Sequence, residues 1–395
     1  MRLTKEELEK VKSKYGVDRL YSWSKVNTFM TSPYSYFLSY VLNKTPDNCN
    51  CAYAPLGNIC HQAIEDFYSG KIPFEKMLDD FNDGWLTSID IVNLKFDRNN
   101  EESDNNIKAK YEQNLIHFFQ NHNVIERKIE LERFLAAKIG DYVLQGYADA
   151  ITKDEDGNFV IIDWKTSSKY SGKTLEEHSG QLTIYAIALM QMGIPIEKIK
   201  CCFNFLKYCT IEYTQANGKT KTRDVERCKI GESLQSNLKV WLKKLGYEEN
   251  IDDYLKIALD ENSIKNLPKD IQEKYKISDC YTYIPLTQKL VDDWVHLISS
   301  TIKDIECRES DYLATGNENI FWDSEEQVKT QSYFHATLSE FSANLHKPYK
   351  AYLEVMESQK NGDIFSSGYG EVQSNSNVEK HSIEVDVDLS WLNDI

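Results

Sequence analysis

The chain has 395 residues, with 46 Lys and Arg against 62 Asp and Glu and a formal net charge of −16. This charge argues against a protein that coats nucleic acid without regard to sequence, because such proteins are normally basic. Part of the acidity is confined to residues 361–395, which hold seven acidic residues against the single Lys380. A hydrophobic share of 41%, with 24 Tyr and 16 Phe, is enough for a sizeable globular core.

The nine cysteines are odd in number and irregularly spaced. This argues against a disulfide framework and predicts a protein of the reducing cytoplasm. The N-terminal sequence predicts a charged helix over residues 4–14, without the apolar segment of a secretory signal. No run of about 18 apolar residues occurs, so we expect no membrane span.

The first third of the chain predicts helices. We expect Ser24 to cap one short helix, and Ser32-Pro33 has the cap-then-proline form that opens a second. Further helices are predicted over residues 57–68, which include His61, and over residues 107–122.

The middle of the chain predicts strands at 125–135, 141–151 and 159–167, with a turn at 154–158 before the last. The elements predicted next are an apolar helix at 179–192, a strand at 200–208, and a hairpin at 211–226 that turns at Asn217-Gly218.

This order of elements predicts an α/β fold with a mixed central sheet flanked by helices. We expect the main domain to combine residues 1–229 with residues 281–355. Residues 230–280 are predicted to form a mostly helical insertion, and residues 356–395 a disordered acidic tail.

The hairpin at 141–167 brings two carboxylates and a lysine together. If its turn centres on Asp156, then Asp149 and Asp163 are each seven residues from the centre, and they face each other with Cβ atoms about 5 Å apart. Lys165 falls on the same strand face as Asp163, because side chains alternate along a strand. Such carboxylates repel each other unless a cation lies between them, and Asp oxygens suit Mg²⁺ or Mn²⁺. The arrangement is suited to phosphodiester hydrolysis.

An Asp-x-Lys triplet is common by chance, so its context matters. Here the triplet ends an apolar strand, where charged residues are out of place unless they are paired or functional. With four other motifs in order, it resembles the PD-(D/E)XK nucleases of the RecB-like exonuclease branch. The matching residues are Ser22, Ser24, Lys25 and Pro33; Gly57 and His61; Gly146 and Asp149; Asp163, Trp164, Lys165 and Thr166; and Gln181 and Tyr185.

The resemblance implies a restriction-endonuclease-like core and a role for each matched residue. The metal ligands would be His61, Asp149, Asp163 and the backbone carbonyl of Trp164, and Lys165 would activate water. Residues that would contact DNA or support the site are Gln181, Tyr185, Ser24 and Lys25. Simple helix packing remains the alternative for Gln181 and Tyr185. Glu130 or Glu132 could assist the metal, although an exposed strand carboxylate is the favoured interpretation.

Some members of this family, the AddB-type and CRISPR-adaptation nucleases, carry an iron–sulfur cluster on four cysteines. Here Ser32 stands at the first of these positions, and residues 317–335 contain no cysteine. Such a cluster requires thiolates. We therefore predict no cluster, and we expect hydrophobic packing to close that part of the fold.

The function implied by the resemblance is a Mg²⁺- or Mn²⁺-dependent DNA exonuclease. It would act at the ends of linear DNA in recombination, repair or phage DNA metabolism, in the cytoplasm of a bacterial or phage-infected cell. The alternative is a non-catalytic DNA-end-binding or partner-recruiting module on a decayed nuclease fold. Residues 382–395, which are acidic with an apolar side, predict a docking segment for a protein partner or an acidic plug, with a packed terminal strand as the alternative.

Overall fold

The computed structural model of the chain describes residues 2–46 and 50–330, together with residues 338, 341 and 354. Its strands are β1 (Leu20–Ser22), β2 (Ile129–Ile139), β3 (Tyr142–Lys153), β4 (Phe159–Lys165), β5 (Ile199–Thr214), β6 (Thr220–Glu226) and β7 (Tyr275–Tyr283). Its α-helices are α1 (Lys5–Tyr15), α2 (Trp23–Thr31), α3 (Pro33–Tyr36), α4 (Tyr53–Tyr68), α5 (Met77–Trp85), α6 (Glu101–Asn121), α7 (Lys173–His178), α8 (Gly180–Gln191), α9 (Ile230–Lys244), α10 (Ile251–Asp260), α11 (Lys269–Gln272), α12 (Gln288–Thr315) and α13 (Glu325–Thr330). The tail predicted at 356–395 and its docking segment at 382–395 lie outside the described residues.

The strands form one mixed sheet, as the sequence predicted. β3 pairs with β2 along one edge, and along the other edge it pairs first with β1 in parallel and then with β4 in antiparallel. β4 continues the sheet to β5 in parallel, and β7 pairs with the far edge of β5. β4 therefore lies inside the sheet, and its carboxyl end, beyond Ile162, stays paired with β5 after its pairing with β3 has ended.

The β3–β4 hairpin has the predicted register. Pairs from Ala150–Ile162 to Lys153–Phe159 place Asp156 at the centre of the turn. Asp154 stabilises this turn, because its carboxylate accepts hydrogen bonds from the backbone N–H groups of Asp156 and Asn158. Extending the ladder by one residue places Asp149 opposite Asp163.

Helices cover both faces of the sheet, so β4 is apolar on both sides rather than on alternate residues. Phe159 and Ile161 face the core formed with α2, α3, α8 and α12, whereas Val160, Ile162 and Trp164 face the core formed with α4, α5 and α6. A layer of helices on each face of a mixed sheet is the predicted fold class.

Strand β5 is 16 residues long and joins the main domain to the insertion. Its first half pairs with β4, and its second half forms the predicted hairpin with β6 and packs on α9 and α10. The turn contains Gly218 at φ 79°, a conformation that glycine adopts without strain. Within the segment predicted as an insertion at 230–280, the last helix ends at Gln272, and residue 280 lies inside β7.

Some predicted element boundaries were wrong. Ser22 caps α2 by accepting a hydrogen bond from the backbone N–H of Lys25, and Ser24 lies inside the first turn of that helix. Helix α5 was not predicted at all, although its buried Met77, Phe81 and Trp85 have helical spacing. The predicted Ser32-Pro33 helix start is confirmed, because Ser32 caps α3 and Pro33 is its first residue.

The N-terminal helices are joined to the segment after α12 by aromatic packing and by a buried polar contact. The Phe37 and Phe321 rings stack with centroids 4.7 Å apart. The Ser32 hydroxyl lies 2.9 Å from the Asp323 carboxylate, which also accepts a hydrogen bond from the backbone N–H of Tyr34. Hydrophobic packing was expected at this junction, but the Ser32–Asp323 contact was not.

None of the described helices is long and apolar enough to span a membrane. All eight cysteines in the described part of the chain are free thiols.

Candidate active site

Asp163 and Lys165 lie together at the carboxyl end of β4. Asp163 is only 2% exposed, and its Oδ2 atom lies 2.6 Å from Nζ of Lys165. Both side chains leave the same face of the strand, as predicted from their spacing. A buried carboxylate is thus paired with a half-buried ammonium group.

Asp149 and His61 lie beside the same strand end. The Asp149 carboxylate accepts a hydrogen bond of 3.0 Å from the backbone N–H of Trp164. Nδ1 of His61 lies 3.6 Å from that carboxylate, and Nε2 lies 2.8 Å from the Trp164 carbonyl oxygen. Because a carbonyl can only accept, Nε2 carries the proton of this contact. Helix α4 therefore brings an imidazole to Asp149 of β3 and to the Trp164 carbonyl of β4.

The pKa values of these groups reflect burial and mutual charge. Burial raises the pKa of the Asp149 carboxyl well above its usual value, and the charge of Asp163 raises it further. Burial lowers the pKa of His61, against the opposing effect of Asp163. Burial alone would lower the pKa of Lys165, but the charges of Asp163 and Asp149 outweigh it and raise that pKa. Lys165 is therefore cationic at neutral pH.

The predicted metal ligands meet in pairs rather than around one point. Among the described residues, three or more His, Cys, Asp or Glu side chains are nowhere close enough together to hold a metal ion as they stand. The cation nearest to Asp163 is the Lys165 ammonium group.

A comparison with known families agrees with this arrangement. The model of the PD-(D/E)XK nuclease superfamily matches residues 21–282, which include all of these side chains. The chain belongs to the PD-(D/E)XK nuclease superfamily. Members of this superfamily are phosphodiester-cleaving nucleases that generally use divalent metal ions. The RecB-like branch is a finer assignment, which this match does not make.

The other comparisons add little to this assignment. No curated protein matches the chain. A solved structure titled "Crystal structure of SSO0001" is similar at 16% identity, covering 49% of this chain and 75% of that one, with a TM-score of 0.16. A TM-score this low supports no structural argument.

The residues of this PD-(D/E)XK site are chemically suited to a divalent ion. They offer two carboxylates, an imidazole and a backbone carbonyl, which are the oxygen and nitrogen donors that such ions accept. The Oδ2 atom of Asp163 is buried, and the Lys165 ammonium group lies 2.6 Å from it. The neighbouring negative charges would be stabilised by a cation held between them.

Gln181 and Tyr185 lie on α8 beneath the site. The Tyr185 hydroxyl donates to the carbonyl of Tyr147 at 2.8 Å and accepts from the Gln181 amide at 3.2 Å. Tyr185 is 5% exposed, which leaves it almost no surface for DNA, so its geometry favours support of the site. Gly146 makes room for it, because a Cβ atom at that position would lie 2.7 Å from the Tyr185 hydroxyl.

Ser24 and Lys25 lie in the first turn of α2, near the start of α8. Trp23, the first residue of α2, packs on Trp294 with ring centroids 5.3 Å apart. The indole N–H of Trp294 donates to Ser179, which directly precedes α8. The Lys25 ammonium group lies 5.4 Å from the Tyr40 ring centre. The structure therefore places Trp23 near the N-terminal end of α8 and directs Lys25 toward Tyr40, so among the described contacts neither Ser24 nor Lys25 meets the site carboxylates.

Of the two glutamates considered as additional metal ligands, Glu132 is the one that lies near the site. The β2–β3 pairs on either side of it place Glu132 opposite Asp149, and its φ of 46° is strained for a non-glycine residue. The charge of Glu132 raises the pKa of both His61 and Tyr185. Glu130 instead lies 3.4 Å from Lys128.

A buried polar network behind the site was not predicted. Asp279 of β7 forms an ion pair with Arg227 and accepts a 2.6 Å hydrogen bond from Nδ1 of His122. The other ring nitrogen of His122 lies 2.7 Å from the Tyr68 hydroxyl. The Tyr68 ring stacks over Trp164 at an interplanar angle of 13°. Because Tyr68 lies two turns after His61 on α4, the network holds both the helix and the strand end of the site.

Proposed function

We propose that the chain is a Mg²⁺- or Mn²⁺-dependent deoxyribonuclease that hydrolyses phosphodiester bonds at DNA ends. One observation carries this proposal. A buried Asp163–Lys165 pair lies at the same strand end as Asp149 and His61, within a match to a nuclease superfamily. The matching residues of the proposed catalytic set are all present, which argues against a decayed, purely DNA-binding module.

The residues present support distinct roles. His61, Asp149, Asp163 and the Trp164 carbonyl would hold the metal, which when bound polarises a phosphoryl oxygen and acidifies a water ligand. Lys165 carries its proton at neutral pH and stands ready to stabilise negative charge that develops on the phosphate. Tyr185 supports the strand that carries Asp149 through its hydrogen bond to Tyr147.

We also propose that the fold does without an iron–sulfur cluster. Support comes from Ser32, which stands where related nucleases have their first cluster cysteine. Its hydroxyl is directed at the buried carboxylate of Asp323. Recombination, repair or phage DNA metabolism in the cytoplasm is the proposed setting.

The decisive experiment compares labelled DNA substrates and site variants. Linear single- and double-stranded DNA, labelled at the 5′ or the 3′ end, and a closed circle are incubated with Mg²⁺ or Mn²⁺. We expect cleavage of linear DNA and little of the circle. Asp163→Ala and Lys165→Ala should each reduce kcat by about 100-fold or more.

The two variants should differ in metal binding measured by calorimetry. Asp163→Ala removes a proposed ligand and should weaken it, whereas Lys165→Ala should retain it. Asp156→Ala and Lys198→Ala, at exposed positions of the same domain, are the matched controls. Wild-type turnover in either site variant would overturn the site assignment, and DNA binding without any cleavage would favour the non-catalytic module.

A further inference from the structure

A pair of stacked aromatic rings, one of them exposed, lies next to the proposed site. The chain leaves β4 through residues 166–172 and enters α7, which ends at His178. The ring centroids of Tyr170 and His178 are 4.0 Å apart and the rings are inclined by only 18°. Tyr170 is half-buried and His178 is exposed. Within the described part of the chain, Tyr170 is the only ring that stacks on His178, which leaves the opposite imidazole face free of ring contacts.

Buried side chains hold the inner ring of this pair in place. Tyr170 meets Phe203 and Phe205 edge to face, at 5.4 and 5.2 Å between ring centroids. The Ser167 hydroxyl lies 3.1 Å from the Tyr170 hydroxyl. Because the inner ring is already ordered, a flat molecule that stacks on the pair loses little conformational entropy of the protein.

The pair is close to Lys165. The Lys165 ammonium group lies 6.0 Å from the ring centre of Phe203, the same ring that Tyr170 contacts. Burial lowers the pKa of the His178 imidazole against the opposing charge of Glu177, and the Lys165 charge also reaches His178 and lowers this pKa further. His178 is therefore neutral at pH 7 and offers an aromatic face rather than a cation. Phe203 thus connects the Lys165 ammonium group to the Tyr170–His178 pair.

We propose that Tyr170 and His178 form a stacking platform for an unpaired nucleobase of the strand that is cut, so that the substrate is single-stranded DNA. This inference rests on the proposed nuclease function. A base inside a duplex has both faces covered by its neighbours, whereas an unpaired base can stack on a protein ring. Stacking does not depend on base identity, since every base has a π face, so the platform selects strand state rather than sequence.

The test measures binding and cleavage separately on the full chain. Labelled oligothymidylate is bound in the presence of EDTA, followed by fluorescence anisotropy, and is cleaved with Mn²⁺. His178→Ala should weaken binding by about 5- to 150-fold, the range for loss of one stacked base. KM should rise by a similar factor, with kcat within about twofold. His178→Phe should restore binding, and His296→Ala, at another exposed histidine, should leave it unchanged.

A second substrate separates stacking from a structural effect. In an oligonucleotide of the same length whose bases are all replaced by abasic residues, His178→Ala should have no effect on binding or KM. An equal loss on both substrates, unchanged oligothymidylate binding, or an equal loss on blunt duplex would overturn the proposal. If the wild-type protein cleaves nothing but His178→Ala still weakens oligothymidylate binding, the nuclease function fails and the platform stands. If cleavage is normal and His178→Ala leaves binding unchanged, the nuclease function stands and the platform fails.

Discussion

Replacing Arg227 by methionine tests the buried network behind the site. Arg227 is 1% exposed, and its guanidinium pairs with Asp279 and donates to the Leu206 carbonyl at 3.0 Å. Methionine retains much of the volume and the contact with Phe118, over whose ring the guanidinium lies at 5.1 Å. The substitution therefore removes the charge and the hydrogen bonds but leaves only a small cavity.

The expected loss follows from the charge that would be left behind. Removing one partner of a buried ion pair lowers the free energy of unfolding by about 3–5 kcal/mol, because the remaining ion stays desolvated. Here His122 and the backbone N–H of Asn123 still donate to the Asp279 carboxylate. We therefore expect Arg227→Met to lower the free energy of unfolding by about 3 kcal/mol, at the lower end of that range.

Urea unfolding followed by tryptophan fluorescence measures this change. Lys289→Met, which breaks an exposed pair with Asp293, serves as the control and should be neutral. In the double variant Arg227→Met/Asp279→Asn, the amide oxygen still accepts from His122 without a charge, so part of the loss should be recovered. A loss below about 1 kcal/mol in Arg227→Met would refute the argument, because exposed ion pairs are worth no more than that.

The pH dependence gives an independent check of the same carboxylate. Burial alone would raise the pKa of Asp279, but His122 and Arg227 lower it below its usual value. A carboxylate with a depressed folded-state pKa contributes stability above its unfolded pKa of about 3.9, and this stability is lost as the pH falls through the folded-state pKa. Arg227→Met moves the folded-state pKa of Asp279 upward. The difference in unfolding free energy between wild type and variant should thus be largest at neutral pH and should become smaller below about pH 4.

Three further variants test other parts of the structure. His61→Ala should raise the metal concentration needed for half-maximal cleavage by about tenfold or more, and an unchanged metal titration would return this imidazole to a structural role. Asp323→Ala leaves the Ser32 hydroxyl and a buried backbone N–H without their acceptor, and should lower the free energy of unfolding by about 1–3 kcal/mol in urea titrations. Gly146→Ala forces a methyl group against the Tyr185 hydroxyl, and should cost about 1–3 kcal/mol in the same assay. An unchanged free energy of unfolding in Gly146→Ala would mean that α8 can shift away from β3 at no cost.

The sequence predicted those parts of the fold that depend on residues close together in the chain. The β3–β4 hairpin was predictable because a polar turn around Asp156 separates two apolar segments. Its register follows from counting residues outward from Asp156 in both directions. The pairing of Asp163 with Lys165 follows from the alternation of side chains. The cap of α2 was misplaced because Ser22 and Ser24 both precede Val26 and Phe29, the buried residues of the helix, and only the backbone shows which serine accepts the hydrogen bond.

Contacts between distant residues were not predictable in this way. Arg227 and Asp279 are 52 positions apart, and His122 and Asp279 are 157 apart. No periodicity connects such positions, and the three residues look like ordinary surface residues in the sequence. Strand β5 was predicted too short, because its pairing changes from β4 to β6 part-way along and a shift in register interrupts its pairing with β7.

The place of α12 in the chain also sets the order in which the fold can be finished during synthesis. This helix provides the partners of the N-terminal segment: Trp294 packs on Trp23, and Glu306 accepts a hydrogen bond from Tyr21. A ribosome releases His61 and the β4 side chains well before it releases α12. Under the proposed function, the catalytic residues of a nascent chain are therefore present for many seconds before α12, the helix that packs on β1 and α2, has been made. Translation order would thereby delay the final packing of β1 and α2 until after Glu306 of α12 has been made.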